Sequence, residues 1–288
     1  MGPVNLPKGN SNPINFAVAS FQNVRFLPRN ANNVITHEKV LMMTHDMPVS
    51  MVIGATGGIG SATARLLASR GCRVLLVSHN EEKLQKLAEE LDTPYFVADA
   101  TQFEQVEAAA KHAQEKLGSV DSIINCVGSL ILKPAHITTQ KDLEQTIALN
   151  VTTAFAAIRA ASSVMRDSGG SVVLFSSAAA RIGLANHEAI AAAKGAVEGL
   201  VKSAATTYAG KNIRVNAIAP GLVETPLTEV IWSRPRSAEA SKALHPLGRL
   251  GKPEEIASLA AWLVDPHNSW ITGQIIGVDG GLAGLKTG

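Results

Sequence analysis

A single α/β domain built on a doubly wound, mostly parallel sheet is what this 288-residue sequence predicts. Three observations lead there. Short apolar runs recur along the chain, each separated from the next by a helix-like stretch. The runs are near-continuous rather than alternating, as in strands buried on both faces. The first run empties into a glycine-rich turn that opens a helical pattern. Right-handed crossovers then place helices on both faces of the sheet.

The elements follow in order from Pro48. Val49 to Gly54 is the first strand run, and Ile59 to Arg70 reads as a helix. Arg73 to Ser78 (RVLLVS) reads as a strand. Asn80 to Leu91 reads as a helix, with Leu84, Leu87 and Leu91 at helical spacing and Asn80 as its N-cap. Tyr95 to Ala98, Ser122 to Cys126, Ser171 to Ser176 and Ile213 to Ile218 are further strands, and Gln274 to Val278 closes the series. The alanine-rich stretches Gln140 to Arg166 and Glu188 to Tyr208 are helices suited to close packing, on the sheet or against another subunit.

Residues 1–47 differ from the domain at 48–288. They hold Pro3, Pro7, Pro13 and Pro28 and lack periodicity. Their early basic residues, Lys8, Arg25 and Arg29, precede any acidic one, but serine and arginine are sparse for a transit peptide. A disordered or targeting extension is expected, with a cytoplasmic location or an organellar one if the segment is a transit peptide.

Composition narrows the function. Hydrophobic residues make up 46% and charged residues 17%, which supports a large core and argues against disorder. No run approaches the roughly 20 apolar residues of a membrane helix, so no membrane partner is expected. Lys and Arg number 26 against 24 Asp and Glu, with no basic block, so no nucleic-acid footprint is read. Cys72 and Cys126 are the only cysteines, too few for a disulfide scaffold or a zinc ribbon, and no metal site is expected. Small-molecule chemistry remains.

The turn Gly54-Ala55-Thr56-Gly57-Gly58-Ile59-Gly60 carries that chemistry. Between a strand and a helix, backbone N–H groups and the helix dipole face a phosphate, and glycine allows close approach. Its spacing, Gly-x-x-x-Gly-x-Gly, resembles that of the short-chain dehydrogenase/reductase family. Asp99 after the third strand, Asn125-Cys126-Val127-Gly128 after the fourth, Asn150 in Ala-Leu-Asn-Val and Pro220-Gly221-Leu222-Val223-Glu224-Thr225-Pro226 extend the resemblance. So do Gly248 to Glu255 and Ile271 to Gly281, and together they span residues 48–288. The resemblance implies a Rossmann-type fold, a nicotinamide cofactor, a small-molecule substrate and a homo-oligomer, dimer or tetramer. It places the cofactor on Gly54, Thr56, Gly58, Ile59, Gly60, Ser78, His79, Asp99, Asn125, Gly128, Lys194, Pro220, Gly221, Val223 and Thr225. An acidic residue ending the second strand would exclude a 2′-phosphate. Ser78 and His79 stand there, so NADP is expected, with NAD the alternative because no Lys or Arg accompanies them.

The family resemblance also implies a catalytic set of tyrosine, lysine, serine and asparagine. Lys194, Ser177 and Asn150 match three of them, but the tyrosine position, four before the lysine, is Ile190. Tyr95 and Tyr208 are the only tyrosines and neither lies nearby. His187 stands one turn farther, roughly 10 Å from Lys194 along a helix at about 1.5 Å per residue. It is the candidate proton donor, with Ser177 or a water as alternatives. The bland reading is that Asn186 caps the helix, Glu188 suits its dipole and His187 is merely exposed. Two functions follow: an oxidoreductase acting on a small carbonyl, alcohol or enone with an altered proton donor, or a catalytically weakened dinucleotide-binding sensor, scaffold or partner subunit. Ser129 to Thr139 and Leu227 to Pro246 are the expected substrate loops, the latter with Arg234, Arg236 and His245 suited to an anionic group or to a mobile lid.

Overall fold

A computed structural model describes residues 47–285. The extension expected at 1–47 lies, but for Met47, outside the described residues. The strands are β1 (Val49–Ile53), β2 (Arg73–Ser78), β3 (Tyr95–Val97), β4 (Ser122–Asn125), β5 (Gly170–Phe175), β6 (Ile213–Pro220) and β7 (Ile275–Val278). They form one parallel sheet in the order β3-β2-β1-β4-β5-β6-β7. The chain reverses its direction of winding between β1 and β4. That switch point opens a crevice at the carboxyl ends of the strands, where such sheets bind ligands.

Each strand is buried because both faces of the sheet are covered. Along β1, Met51 and Ile53 face one core and Val52 the other, the period-two alternation of an extended chain. On the first face lie α3 (Phe103–Leu117), α4 (Gln140–Val164) and α5 (Glu188–Tyr208). They contribute Val106, Ala109, Ala157, Ala161, Val197 and Val201 to the core. The second face carries α1 (Gly58–Ser69), α2 (Glu81–Leu91) and α8 (Pro253–Val264), through Leu67, Leu84, Leu87 and Ile256. Leu84 and Leu87 are almost fully removed from water, and each such side chain contributes about 1.5–3 kcal/mol. The Asn80 side chain accepts from the Lys83 N–H, so α2 starts where its cap predicts.

α4 is long and apolar enough to cross a membrane, yet half of its most apolar stretch is buried against α3 and the sheet, which makes it a core helix. Its middle, Ala148–Thr152, winds as a π-turn. Such turns push one residue out of the regular ladder, often at a functional site. Here the turn carries Asn150.

Between β6 and α8 the chain forms two short helices, α6 (Glu229–Trp232) and α7 (Pro235–Leu244). This is the segment expected as a substrate loop or lid.

Candidate nucleotide and active site

The glycine turn has the geometry its sequence demands. Gly54 takes a left-handed φ of 76°, and a Cβ there would lie 2.9 Å from the Val127 nitrogen. A Cβ on Gly60 would lie 2.2 Å from the Gly54 carbonyl oxygen, and one on Gly58 would lie 2.8 Å from Thr225 Cγ2. Gly57 caps α1 without a side chain, so no capping oxygen occupies the first N–H groups of the helix. This arrangement suits a diphosphate, which the N–H groups and the helix dipole would hold. Ile59 follows at the mouth of the same crevice.

At the end of β2 the Ser78 and Thr56 hydroxyls bond each other at 2.7 Å, and His79 is exposed beside them. Ser78 rather than a carboxylate ends β2, and the next acidic residues, Glu81 and Glu82, lie in the first turn of α2. Asp99 is exposed after β3 and accepts from the N–H and hydroxyl of Thr101. The Asn125 side chain is committed inward: its NH₂ donates to Thr153 Oγ1 at 3.2 Å and its oxygen accepts from the Val127 N–H. It therefore shapes the bend leading to Gly128.

Gly128 brings Asn150 and Lys194 together, since a Cβ on it would lie 3.1 Å from Asn150 Oδ1 and 3.6 Å from Lys194 Nζ. Asn150 is buried; its NH₂ donates to Ser129 Oγ and to the Thr146 carbonyl, both at 2.9 Å. The ammonium of Lys194 donates to the Phe175 carbonyl at 2.9 Å. Burial pulls this lysine down to about 8 from its ordinary 10.5. Desolvation disfavours the charged form, and no carboxylate opposes that effect.

Ser177 ends the β5 segment, and its oxygen accepts from the Ala179 N–H at 3.1 Å, which leaves its O–H free to donate to a substrate. Lys194, Ser177, Ser129, His187 and Ile190 share the wall of one cavity of about 420 Å³. Aliphatic side chains dominate the rest, among them Leu130, Leu132, Leu184, Leu222, Leu227 and Ile231. Cys126 also lines it, but burial pushes its thiol up to about 12, so it is no nucleophile.

His187 is half-buried at the N-terminus of α5. Its Nδ1 lies 2.8 Å from the Ala185 carbonyl, which can only accept, so Nδ1 carries a hydrogen, and Nε2 has no protein partner among the described residues. The helix cap is His187 itself, with no side-chain cap bond, whereas Asn186 adopts a left-handed φ of 64° and makes the turn before it. The expectation that Asn186 caps α5 is corrected accordingly. Glu188 does occupy the first turn. Ile190 is buried against the cavity, while Tyr95 lies in β3 and Tyr208 ends α5 against the opposite core.

Pro220 ends β6, and Pro220, Gly221 and Leu222 line the cavity. Val223 and Thr225 are buried in the loop that passes over Gly58. Arg234 and Arg236 are exposed and outside the cavity wall, so no arginine offers an anion site there. Sequence reasoning placed Ser129 and His245 in the expected substrate loops but missed the bonds they make, Ser129 to Asn150 and His245 to Leu222. Neither sits in a motif whose spacing announces it.

Comparison with known proteins agrees with this geometry. Residues 54–283 match the family model described as enoyl-(acyl carrier protein) reductase. The chain is 35% identical over 243 residues to a 3-oxoacyl-(acyl-carrier-protein) reductase of Thermotoga maritima, covering 81% of this chain and 97% of that protein. It is 34% identical over 252 residues to a cyclohexanol dehydrogenase of an Acinetobacter strain, covering 84% and 98%. A short-chain type dehydrogenase/reductase from Mycobacterium ulcerans superposes with a TM-score of 0.78 at 29% identity, covering 82% of this chain and 90% of that one. With a glycine turn, a buried lysine and an asparagine π-turn all in place, the chain belongs to the short-chain dehydrogenase/reductase family and is an NAD(P)-dependent oxidoreductase.

Proposed function

We propose that the protein interconverts a small, neutral, largely apolar carbonyl compound and its alcohol, with NADP as the preferred coenzyme and His187 as the proton donor. The observation that carries this reading is the ring of His187, oriented by the Ala185 carbonyl on the wall of the cavity that Ser177 and Lys194 share. A nicotinamide bound in the crevice supplies or accepts the hydride. Ser177 donates its O–H to the substrate oxygen and stabilises charge developing there. Nε2 of His187 delivers the proton as that oxygen becomes an alkoxide, and takes it back in the oxidative direction. Lys194 holds the nicotinamide ribose, and Asn150 supports the floor beneath both. Ser78 and Thr56 offer two hydroxyls to a 2′-phosphate, with His79 alongside.

The cavity also defines the substrate. Its wall carries one ammonium, that of Lys194, which the ribose would take, and no guanidinium, so a sugar acid or keto acid finds no cation left to pair with. An enone is the second substrate type, favoured by the loss of a phenol at Ile190 and by the reductase description of the matching family model.

An oligomer built through α4 and α5 completes the reading. Leu143, Ile147 and Phe155 form an exposed apolar ridge along α4, and Ala192, Gly195, Ala196 and Gly199 leave the outer face of α5 flat. A second copy would bury both faces. The location we propose is cytoplasmic.

The direct test follows NADPH absorbance with cyclohexanone, cyclohexenone, a 2-oxo acid and a polyol. Turnover of the cyclic compounds is expected. His187→Ala should slow it by about 10²–10⁴-fold with NADPH affinity within twofold of wild type. Unchanged turnover in that variant removes His187 from the proton path.

A further inference from the structure

The lid segment between β6 and α8 is hooked at both ends onto the same stretch of backbone, Gly221 to Thr225. At the near end, Trp232 Nε1–H donates to the Thr225 carbonyl at 2.9 Å, and the Thr228 hydroxyl donates to the Val223 carbonyl. At the far end stands His245, 5% exposed, just past α7. The Leu222 N–H donates to His245 Nε2 at 3.1 Å, and His245 Nδ1 lies 2.6 Å from the Ser241 carbonyl. An amide N–H can only donate and a carbonyl can only accept, so this ring is neutral with its hydrogen on Nδ1. The fit is close: a Cβ on Gly221 would lie 2.6 Å from Nε2.

Between the two hooks, Leu227, Ile231, Ser241 and Leu244 form one side of the substrate cavity. On its other side the hooked loop touches the glycine turn, through Thr225 against Gly58. One loop therefore contacts the nucleotide crevice and anchors the cavity wall at once.

We propose that His245 is a positioning residue that couples the lid to the nucleotide loop, so that coenzyme binding steadies the substrate wall. The proposal rests on the coenzyme lying in the crevice at the glycine turn. Coupling of this kind needs a shared element whose arrangement both ligands bias, and the 221–225 loop is that element. Without the His245 bond, the loop can settle on the coenzyme while the lid stays loose.

Limited trypsin digestion of the full chain reads the lid directly, because Arg236 is exposed in the first turn of α7. Cleavage after it requires local opening, so its rate reports how firmly the lid is held. In the wild type, saturating NADPH should slow this cleavage at least fivefold. His245→Gln sets an amide oxygen where Nε2 stood and keeps the Leu222 bond, so NADPH should protect it as it does the wild type. His245→Asn sets an amide nitrogen where Nδ1 stood and keeps only the Ser241 bond. It should be cut at least fivefold faster and gain little from NADPH. Trp232→Phe, which keeps the ring but loses the N–H, should weaken the lid in the same sense and does not depend on the His245 variants folding. Equal protection of the Gln and Asn variants, or no protection of the wild type at NADPH concentrations that fluorescence titration shows to be saturating, overturns the coupling. Failure of NADPH to bind at all overturns the nucleotide reading and the coupling with it.

Discussion

Lys194→Met should change the sign of its effect on stability between neutral and alkaline pH. Burial lowers the lysine from 10.5 to about 8. At about 1.4 kcal/mol per pH unit, holding the charged form in the fold costs on the order of 3 kcal/mol below pH 8. Between pH 8 and 10.5 the unfolded chain still binds this proton and the folded chain has released it. Stability therefore rises with pH through that window, and the cost has gone by its upper end. Methionine keeps the stem without the charge, but leaves the Phe175 carbonyl without its partner, a loss of about 1–2 kcal/mol. In the nucleotide-free protein the variant should be more stable than wild type by about 1–2 kcal/mol at pH 7, and less stable by about the same near pH 10.5. At roughly 2–4 °C per kcal/mol, the relative Tm swings by about 6–12 °C. Urea unfolding of both proteins at pH 7, 8.5 and 10 measures it, since groups that titrate in both cancel in the difference. Parallel stability curves for the two proteins would refute the reasoning. The same variant should bind NADPH at least tenfold more weakly, so a gain in stability would accompany a loss of function.

Ser78→Asp places a carboxylate where a 2′-phosphate is expected, and should reverse the preference from NADP to NAD, read as a fall of at least tenfold in NADPH affinity with NADH affinity held or improved. Phe155→Glu charges one end of the apolar ridge on α4; sedimentation should show an oligomer for the wild type and a monomer for the variant, and an unchanged mass would remove this face from the interface.

The sheet was legible because its strands are covered on both faces. RVLLVS has no polar alternation to misread, and β2 and α5 have the bounds their patterns predict. Strand ends shifted where the backbone, not burial, sets the limit. β6 runs on to Pro220, which pairs with Val278 without needing an N–H, because the Gly221 N–H donates to the Val278 carbonyl at 3.1 Å. The short helices α6 and α7 escaped notice because their apolar residues cover a cavity rather than the core, so helical periodicity is weak there. Candidate positions on motifs came together around the crevice: the glycine turn, Ser78, Asn150, Ser177 and Lys194. Asn125 sits as expected, but its side chain bonds inward. Hydrogen bonds that join distant segments, Ser129 to Asn150 and His245 to Leu222, have no sequence signature, since each depends on two loops meeting only after the sheet forms.

Isoleucine at position 190 separates two tasks in this site. A phenol beside Lys194 would give the ammonium a partner whose proton it could steer. Ile190 gives it an apolar wall instead, so Lys194 keeps one protein hydrogen bond, to the Phe175 carbonyl, and remains a depressed cation suited to holding hydroxyls. On the function proposed above, proton supply falls to a partly exposed group on the cavity wall, where solvent can recharge it. His187 meets that condition: it is half-buried on the wall, and its Nδ1 is already bonded to a carbonyl. A buried donor in its place would need a chain of its own to reach water. On that reading, the partial exposure of His187 is what would let it turn over.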